Sequence, residues 1–327
     1  NISEIIKRDG LKNLHKHIPV EYIIFINKIV DTQIKDIALS FTSDFCDEIL
    51  DLKEQYYIYD HMETRIIYPI DICYKSKIKF SHYQKLNFNN YENVTEEIDN
   101  VVSSDFEKNN VQNIVEKEHF ADFRKYYGDI PYACWRTAPH RDSWYGHPQS
   151  SMNLWLGITG CTSENSVFFY PDVFNTDIPY INGRNAPHRD FKYTAPYCPS
   201  VPEGNTLIFN PENLHASHIG TADKTRICII TRVNTKVPSF APYFVNSNYK
   251  AEPSIWHKSE NIRNRIFDKP FEVDRENYVG DYPIYKKRKD PYLGLKTFNI
   301  DDYFKFRGKN VIFDETVLKE HNKILIR

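Results

Sequence analysis

Residues 151–158 and Arg226–Asn234 divide into two faces at a period of two, which fits strands better than helices. In the first, Met152, Leu154, Leu156 and Ile158 share one face, and Asn153 and Trp155 share the other. In the second, Arg226, Cys228, Ile230, Arg232 and Asn234 oppose Ile227, Ile229, Thr231 and Val233. An arginine turned inward from such a strand needs an anion, and a guanidinium fork suits a carboxylate. A further short buried strand is expected over residues 206–209, after the turn Pro202-Glu203-Gly204-Asn205.

His140 and Asp142 are two residues apart, so on an extended segment their side chains point the same way and can touch one metal. His215, far downstream, can supply a third ligand from another strand. Two imidazoles and a carboxylate occupy one face of an octahedral iron(II) and leave three positions open to small molecules. A rival pair exists, because Ala186-Pro187-His188-Arg189-Asp190 repeats Ala138-Pro139-His140-Arg141-Asp142 residue for residue. The second copy leaves room for little more than a hairpin before His215, which favours the first. His218 is a second candidate for the distal histidine, and Arg226 taken singly also suits a structural salt bridge.

The middle third of the chain resembles the Fe(II)/2-oxoglutarate-dependent dioxygenases, in particular their phytanoyl-CoA-dioxygenase-like branch. The resemblance rests on His140-Arg-Asp142, on Phe209-Asn-Pro-Glu-Asn-Leu-His215-Ala-Ser, on Arg226, and on Asn153-Leu-Trp155. It implies iron(II) held by His140, Asp142 and His215, with 2-oxoglutarate and O2 as co-substrates. It gives Arg226 the far carboxylate of 2-oxoglutarate, places Asn153 and Trp155 in the co-substrate pocket, and prefers His215 to His218. Cys228 stands where the family usually has Ser or Thr, a weaker donor in that pocket. The implied fold is α+β and mainly β: a double-stranded β-helix, a cupin-like jelly-roll barrel, with flanking helices and a C-terminal extension. The implied reaction is hydroxylation of a C–H bond, and the Asp142 carboxylate argues against a halogenase. Two other readings stay open: a cupin-like sugar isomerase or epimerase, and a non-catalytic carbohydrate-binding barrel.

The polar and basic residues Arg141, Tyr145, His147, Arg184, His188 and Arg232 are candidates for gripping a polar small molecule, such as a sugar, a nucleotide-linked sugar or an amino-acid derivative. The proline-rich segment 171–204 is expected to be a loop over the substrate. With 327 residues, 41% of them hydrophobic, the chain can bury a large core, and no composition break divides it. A single domain is expected, with a mixed part over 1–130, the site over 131–240 and an extension over 241–327. In the first part, residues 21–30 read as a strand, Ser43 as the cap of a helix carrying Phe45, Ile49 and Leu52, and 111–128 as another helix. A net charge of −2 gives no field to hold nucleic acid. The apolar run from Tyr22 to Ile26 is too short to span a membrane, and the charged first ten residues lack the core of a secretion signal. Six scattered cysteines fit buried thiols in a reducing compartment, so a cytoplasmic protein is expected; the oligomeric state is left open.

Overall fold

A computed structural model of the chain describes residues 2–18, 20, 23–69, 72, 133, 137–181, 186–194, 196–218, 220, 222–240, 253–275 and 297–298. Two helices lead: α1 (Ile2–Asp9) and α2 (Ile23–Glu48). The strands β1 (Tyr57–Tyr59), β2 (Glu63–Ile67), β3 (Met152–Thr159), β4 (Val167–Phe169), β5 (Tyr180–Ile181), β6 (Ala186–Pro187) and β7 (Tyr193–Thr194) follow. Next come β8 (Thr206–Phe209), β9 (His215–Ser217), β10 (Arg226–Asn234), β11 (Ser254–Lys258), the short helix α3 (Ser259–Arg263), β12 (Phe271–Val273) and β13 (Thr297–Phe298).

The largest unit is a seven-stranded antiparallel sheet in the order β12-β11-β1-β10-β3-β8, with β2 also paired to β10. The two alternating segments of the sequence are its neighbouring central strands, with Arg232 opposite Asn153 and Ile230 opposite Trp155. Opposed residues of an antiparallel pair share a face, so these four side chains point to one side of the sheet. Leu154 and Val233 point to the other, where they pack with Leu39 and Cys46 of α2 and with Ile58 and Ile262. β1 and β2 follow one edge of β10 with a bulge between them: Tyr57 faces Asn234 while Glu63 faces Ile230. A second, small sheet pairs β4 with β9, and isolated bridges extend it to His140 beside His215 and to Tyr197 beside Phe169.

Several expectations are corrected. Residues 23–30 belong to α2 and are not a strand; Ile23, Asn27, Ala38, Thr42 and Cys46 are all buried at multiples of about one helical turn. Only a window longer than the apolar run at its start shows that period. Ser43 is no cap, because α2 has begun at Ile23; its hydroxyl lies 3.0 Å from that of Tyr56 inside the core. The helix ends at Glu48, before Ile49 and Leu52. β8 forms where expected but is not buried: among the described residues it is an edge strand paired with β3 alone, and Ile208 is 39% exposed. The segment 171–204 is no open loop in its described part, where Ile178, Ala186, Tyr193 and Cys198 pack with Trp144 and Phe168 in one cluster. Residues 253–275 do not simply lie against a finished core, since β11 and β12 complete the large sheet. The helix expected over 111–128 lies outside the described residues. Among those residues no helix is long and apolar enough to cross a membrane, and Cys46, Cys161, Cys198 and Cys228 are buried free thiols.

Gly160, just past β3, has φ +67°, and a β-carbon there would collide with the Thr225 carbonyl leading into β10. Gly160→Ala is therefore expected to lower stability by at least about 1–2 kcal/mol in a urea melt. An unchanged midpoint would show that the β3–β10 junction relaxes without cost.

Candidate metal centre

The small sheet and the turn after His140 assemble the three expected ligands. His140 and His215 exchange both backbone hydrogen bonds, 2.9 and 3.0 Å long, which sets their rings side by side with centroids 4.3 Å apart. Arg141 is extended (φ −103°, ψ 142°), so His140 and Asp142 project to the same side, as their spacing predicts. Asp142 then opens a 3-10 turn that Gly146 closes in the left-handed region at φ 77°. The result is a buried cluster whose candidate ligand atoms all lie within 4.8 Å of one another. Asp142 Oδ1 is 3.4 Å from His140 Nε2 and 3.6 Å from His215 Nε2.

Each ring is oriented from behind. His140 Nδ1 lies 2.6 Å from the Ala138 carbonyl and His215 Nδ1 lies 2.9 Å from that of Asn213. A carbonyl only accepts, so Nδ1 carries a proton in both rings and Nε2 is the atom turned to Asp142. The other carboxylate oxygen, Oδ2, accepts from Asn153 Nδ2 at 2.5 Å and from Arg232 at 3.3 Å. Burial alone would raise the pKa of Asp142, but the Arg232 guanidinium, with help from the neighbouring His215, His140 and His147, outweighs it and holds the group well below the usual carboxylate range. Burial, reinforced by His140, pushes His215 down to about 4. At neutral pH the cluster therefore presents a carboxylate and a neutral His215, the form that binds a cation.

Two cavities meet at the cluster. An outer one of about 540 Å³ is lined by polar side chains that include Arg65, Thr137, Tyr145, His147 and Arg275. An inner recess of about 50 Å³ is walled by Asn153, Trp155, Val167, Arg226 and Ile230, while His140, Asp142 and Arg232 border both. The recess has buried polar atoms with no hydrogen-bond partner among the described residues: Asn153 Oδ1, Arg226 Nε and Arg232 Nε. One Arg226 nitrogen donates to the carbonyls of Ser166 (2.6 Å) and Asn165 (3.2 Å), the guanidinium lies 5.9 Å from the Trp155 ring centre, and no carboxylate among the described residues pairs with it. Buried polar groups are nearly always satisfied, so the two guanidinium N–H groups can take an acceptor here and the Asn153 oxygen can take a donor. Cys228 lies in the apolar cluster of Trp155 and Ile230, and burial pushes its thiol up to about 11, so it stays neutral.

Of the residues proposed to grip a substrate, Tyr145 and His147 line the outer cavity. Arg232 does too, but its hydrogen bond goes to Asp142. Arg141 points away from the site, donating to the carbonyls of Val173 and Thr176 at 3.0 and 2.8 Å. His188 is a surface residue, its side chain 53% exposed beside an Asp190 side chain 92% exposed, and the second Ala-Pro-His-Arg-Asp copy gathers no ligand set among the described residues. Arg184 lies outside the described residues. His218 is buried against Phe168 and accepts from the Gly220 amide at 2.9 Å, away from the cluster. The sequence reading missed Tyr59, Glu63, Arg65, Thr137 and Arg275 as cavity walls. For Glu63 and Arg65 a signal existed in the alternation Glu63-Thr-Arg65-Ile. Compared with protein-family models and with curated sequences, the chain matches none.

Proposed function

We propose that the chain is an iron(II)- and 2-oxoglutarate-dependent oxygenase that hydroxylates a C–H bond of a polar small molecule, on a double-stranded β-helix formed by the large and small sheets. The observation that carries this reading is the buried His140, Asp142 and His215 cluster opening onto a recess that contains the orphaned guanidinium of Arg226. Its two imidazoles and one carboxylate suit iron(II), with three positions left over. Bound there with 2-oxoglutarate and oxygen, iron supplies the oxidising power to break an unactivated C–H bond.

The protein's part is placement and exclusion. Arg226 takes the far carboxylate of 2-oxoglutarate, and its contact with Trp155 keeps the fork in the recess. The neutral thiol of Cys228 adds at most a weak donor there. The outer cavity holds the substrate, where Arg65, Thr137, Tyr145 and His147 offer hydrogen bonds to hydroxyl, amide or acidic groups. Among the described residues no apolar seat for an acyl chain lies beside the candidate ligands. The apolar groove lined by Ile34, Phe41, Leu154, Leu156 and Ile229 lies on the α2 side of the sheet, opposite Asn153 and Trp155. A cytoplasmic setting, in which thiols stay reduced, suits the buried free cysteines.

The test is anaerobic titration of iron(II) into metal-free protein with and without 2-oxoglutarate. The expected result is a visible charge-transfer band that needs both additions. Arg226→Gln should raise the 2-oxoglutarate concentration for half the band at least about tenfold, since a buried charge pair is lost. Absence of the band in the native chain would move the proposal to an oxygen-independent isomerase or a carbohydrate-binding barrel.

A further inference from the structure

Asp142 brings two oxygens to a site whose open positions depend on only one being used. Oδ1 faces the two histidine nitrogens at 3.4 and 3.6 Å, while Oδ2 is turned to Asn153 and Arg232 at 2.5 and 3.3 Å. Both donors come from one register position of the large sheet, where Asn153 of β3 lies opposite Arg232 of β10. Neither is a passing surface contact, since all three side chains are buried. We infer that Asn153 and Arg232 are positioning residues that occupy Oδ2 and confine Asp142 to one-oxygen ligation. The inference rests on the metal-site half of the proposed function and is independent of the co-substrate.

The chemistry follows from what each donor supplies. A carboxylate can bind a metal through one oxygen or two, and two-oxygen binding takes up a position otherwise open to a small molecule. The short bond from the Asn153 amide fixes the direction of Oδ2 without adding charge. Arg232 adds charge and a planar fork, and its guanidinium lies 5.9 Å from the ring centre of Tyr59, in the wall of the outer cavity. The carboxylate is thus held between the sheet that carries the donors and the turn that carries Asp142. An ion pair serving stability alone needs only the arginine. The amide is the surplus element, and it makes the shorter contact.

Cobalt(II) is the probe, because its visible d–d bands report coordination number without oxygen or 2-oxoglutarate. Three chains are compared: native, Asn153→Ala and Arg232→Lys. Lysine keeps the positive charge that would otherwise alter cation affinity by simple repulsion, and it removes only the fork. Asn153→Ala leaves the ion pair in place and carries the test if Arg232→Lys does not fold. Each variant is expected to bind cobalt(II) about tenfold more weakly, the low end of what such supporting residues contribute. The d–d band should shift and weaken as the freed Oδ2 joins the metal. Because both residues hold one oxygen, the double variant should lose less than the product of the single losses. The inference is overturned if affinity and band stay within twofold of native in Asn153→Ala while the metal-free melting temperature falls, which is the mark of a purely structural contact. A native chain that binds no cobalt(II) would remove the metal site and this inference with it. Variants that lose cobalt(II) in a chain giving no 2-oxoglutarate band would leave the inference standing and the oxygenase reading refuted.

Discussion

Asp142→Ala is expected to abolish metal binding, weakening iron(II) or cobalt(II) at least about a hundredfold in an anaerobic titration, because it removes the anionic ligand and leaves only two neutral imidazoles. The same substitution should destabilise the metal-free protein. Arg232 is buried and forms an ion pair with Asp142. Taking one partner from a buried pair costs about 3–5 kcal/mol, since the remaining charge is left uncompensated. Asp142→Asn, which keeps an acceptor oxygen for Asn153 or Arg232, should lose the metal but less of the stability. An internal control is available in the second Ala-Pro-His-Arg-Asp copy. Asp190→Ala alters an exposed side chain outside the cluster and should leave both readouts at native values. Native metal affinity in Asp142→Ala, or a loss in Asp190→Ala, would show that the metal site has been placed on the wrong residues.

The identity of those two pentapeptides shows what local sequence can and cannot decide. His140 and Asp142 become a candidate ligand pair because the backbone at His140 bridges to His215. In the other copy Ala186 and Pro187 pair with Tyr180 and Ile181, and the His188–Asp190 turn is left at the surface. Pairing partners separate the two: a distant one for the first copy and a near one for the second. Where a period extended over enough residues, the sequence was sufficient: β3 and β10 run close to their expected bounds, with Asn153, Trp155, Arg226 and Arg232 on the inner face. Shorter signals failed. The start of α2 looked like a strand because a brief apolar run does not resolve a period of two from 3.6. The wall formed by Tyr59, Glu63 and Arg65 was only partly legible. The alternation Glu63-Thr-Arg65-Ile marks a strand, but β2 reaches the site by pairing with β10 and β1 by pairing with β10 and β11, and no feature within residues 57–67 announces those partners. Asn153 shows the finest limit. Its face was legible, but its hydrogen bond to Asp142 depends on where the turn after His140 carries the carboxylate.

The metal-free protein is also expected to be acid-sensitive, in a window to which His215 contributes a separable part. His215 in the folded chain is pushed down to about 4, by burial first and then by the charge of His140. In the unfolded chain it should titrate near the ordinary value of about 6.5. Between those values the unfolded state carries a proton at residue 215 that the folded state does not. Stability therefore rises with pH across the window, and acidification pulls the equilibrium toward the unfolded chain. From pH 7 to pH 4.5 the loss assigned to His215 is about 2–3 kcal/mol. Asp142 does not offset or imitate it. Its pKa is held well below the usual carboxylate range, so it keeps its charge through this interval and its own contribution disappears only at lower pH. His147, lowered in the same direction by burial and by Arg232, adds to the observed slope, so the comparison must be between chains. Urea melts of native and His215→Leu protein, both stripped of metal, make that comparison. The native midpoint should fall more steeply below pH 6.5, by up to one proton in the slope, with the two curves converging toward acid. Parallel curves would mean that residue 215 is protonated in the folded state at the same pH as in the unfolded one. The site would then not present a neutral imidazole ready for a metal across that range.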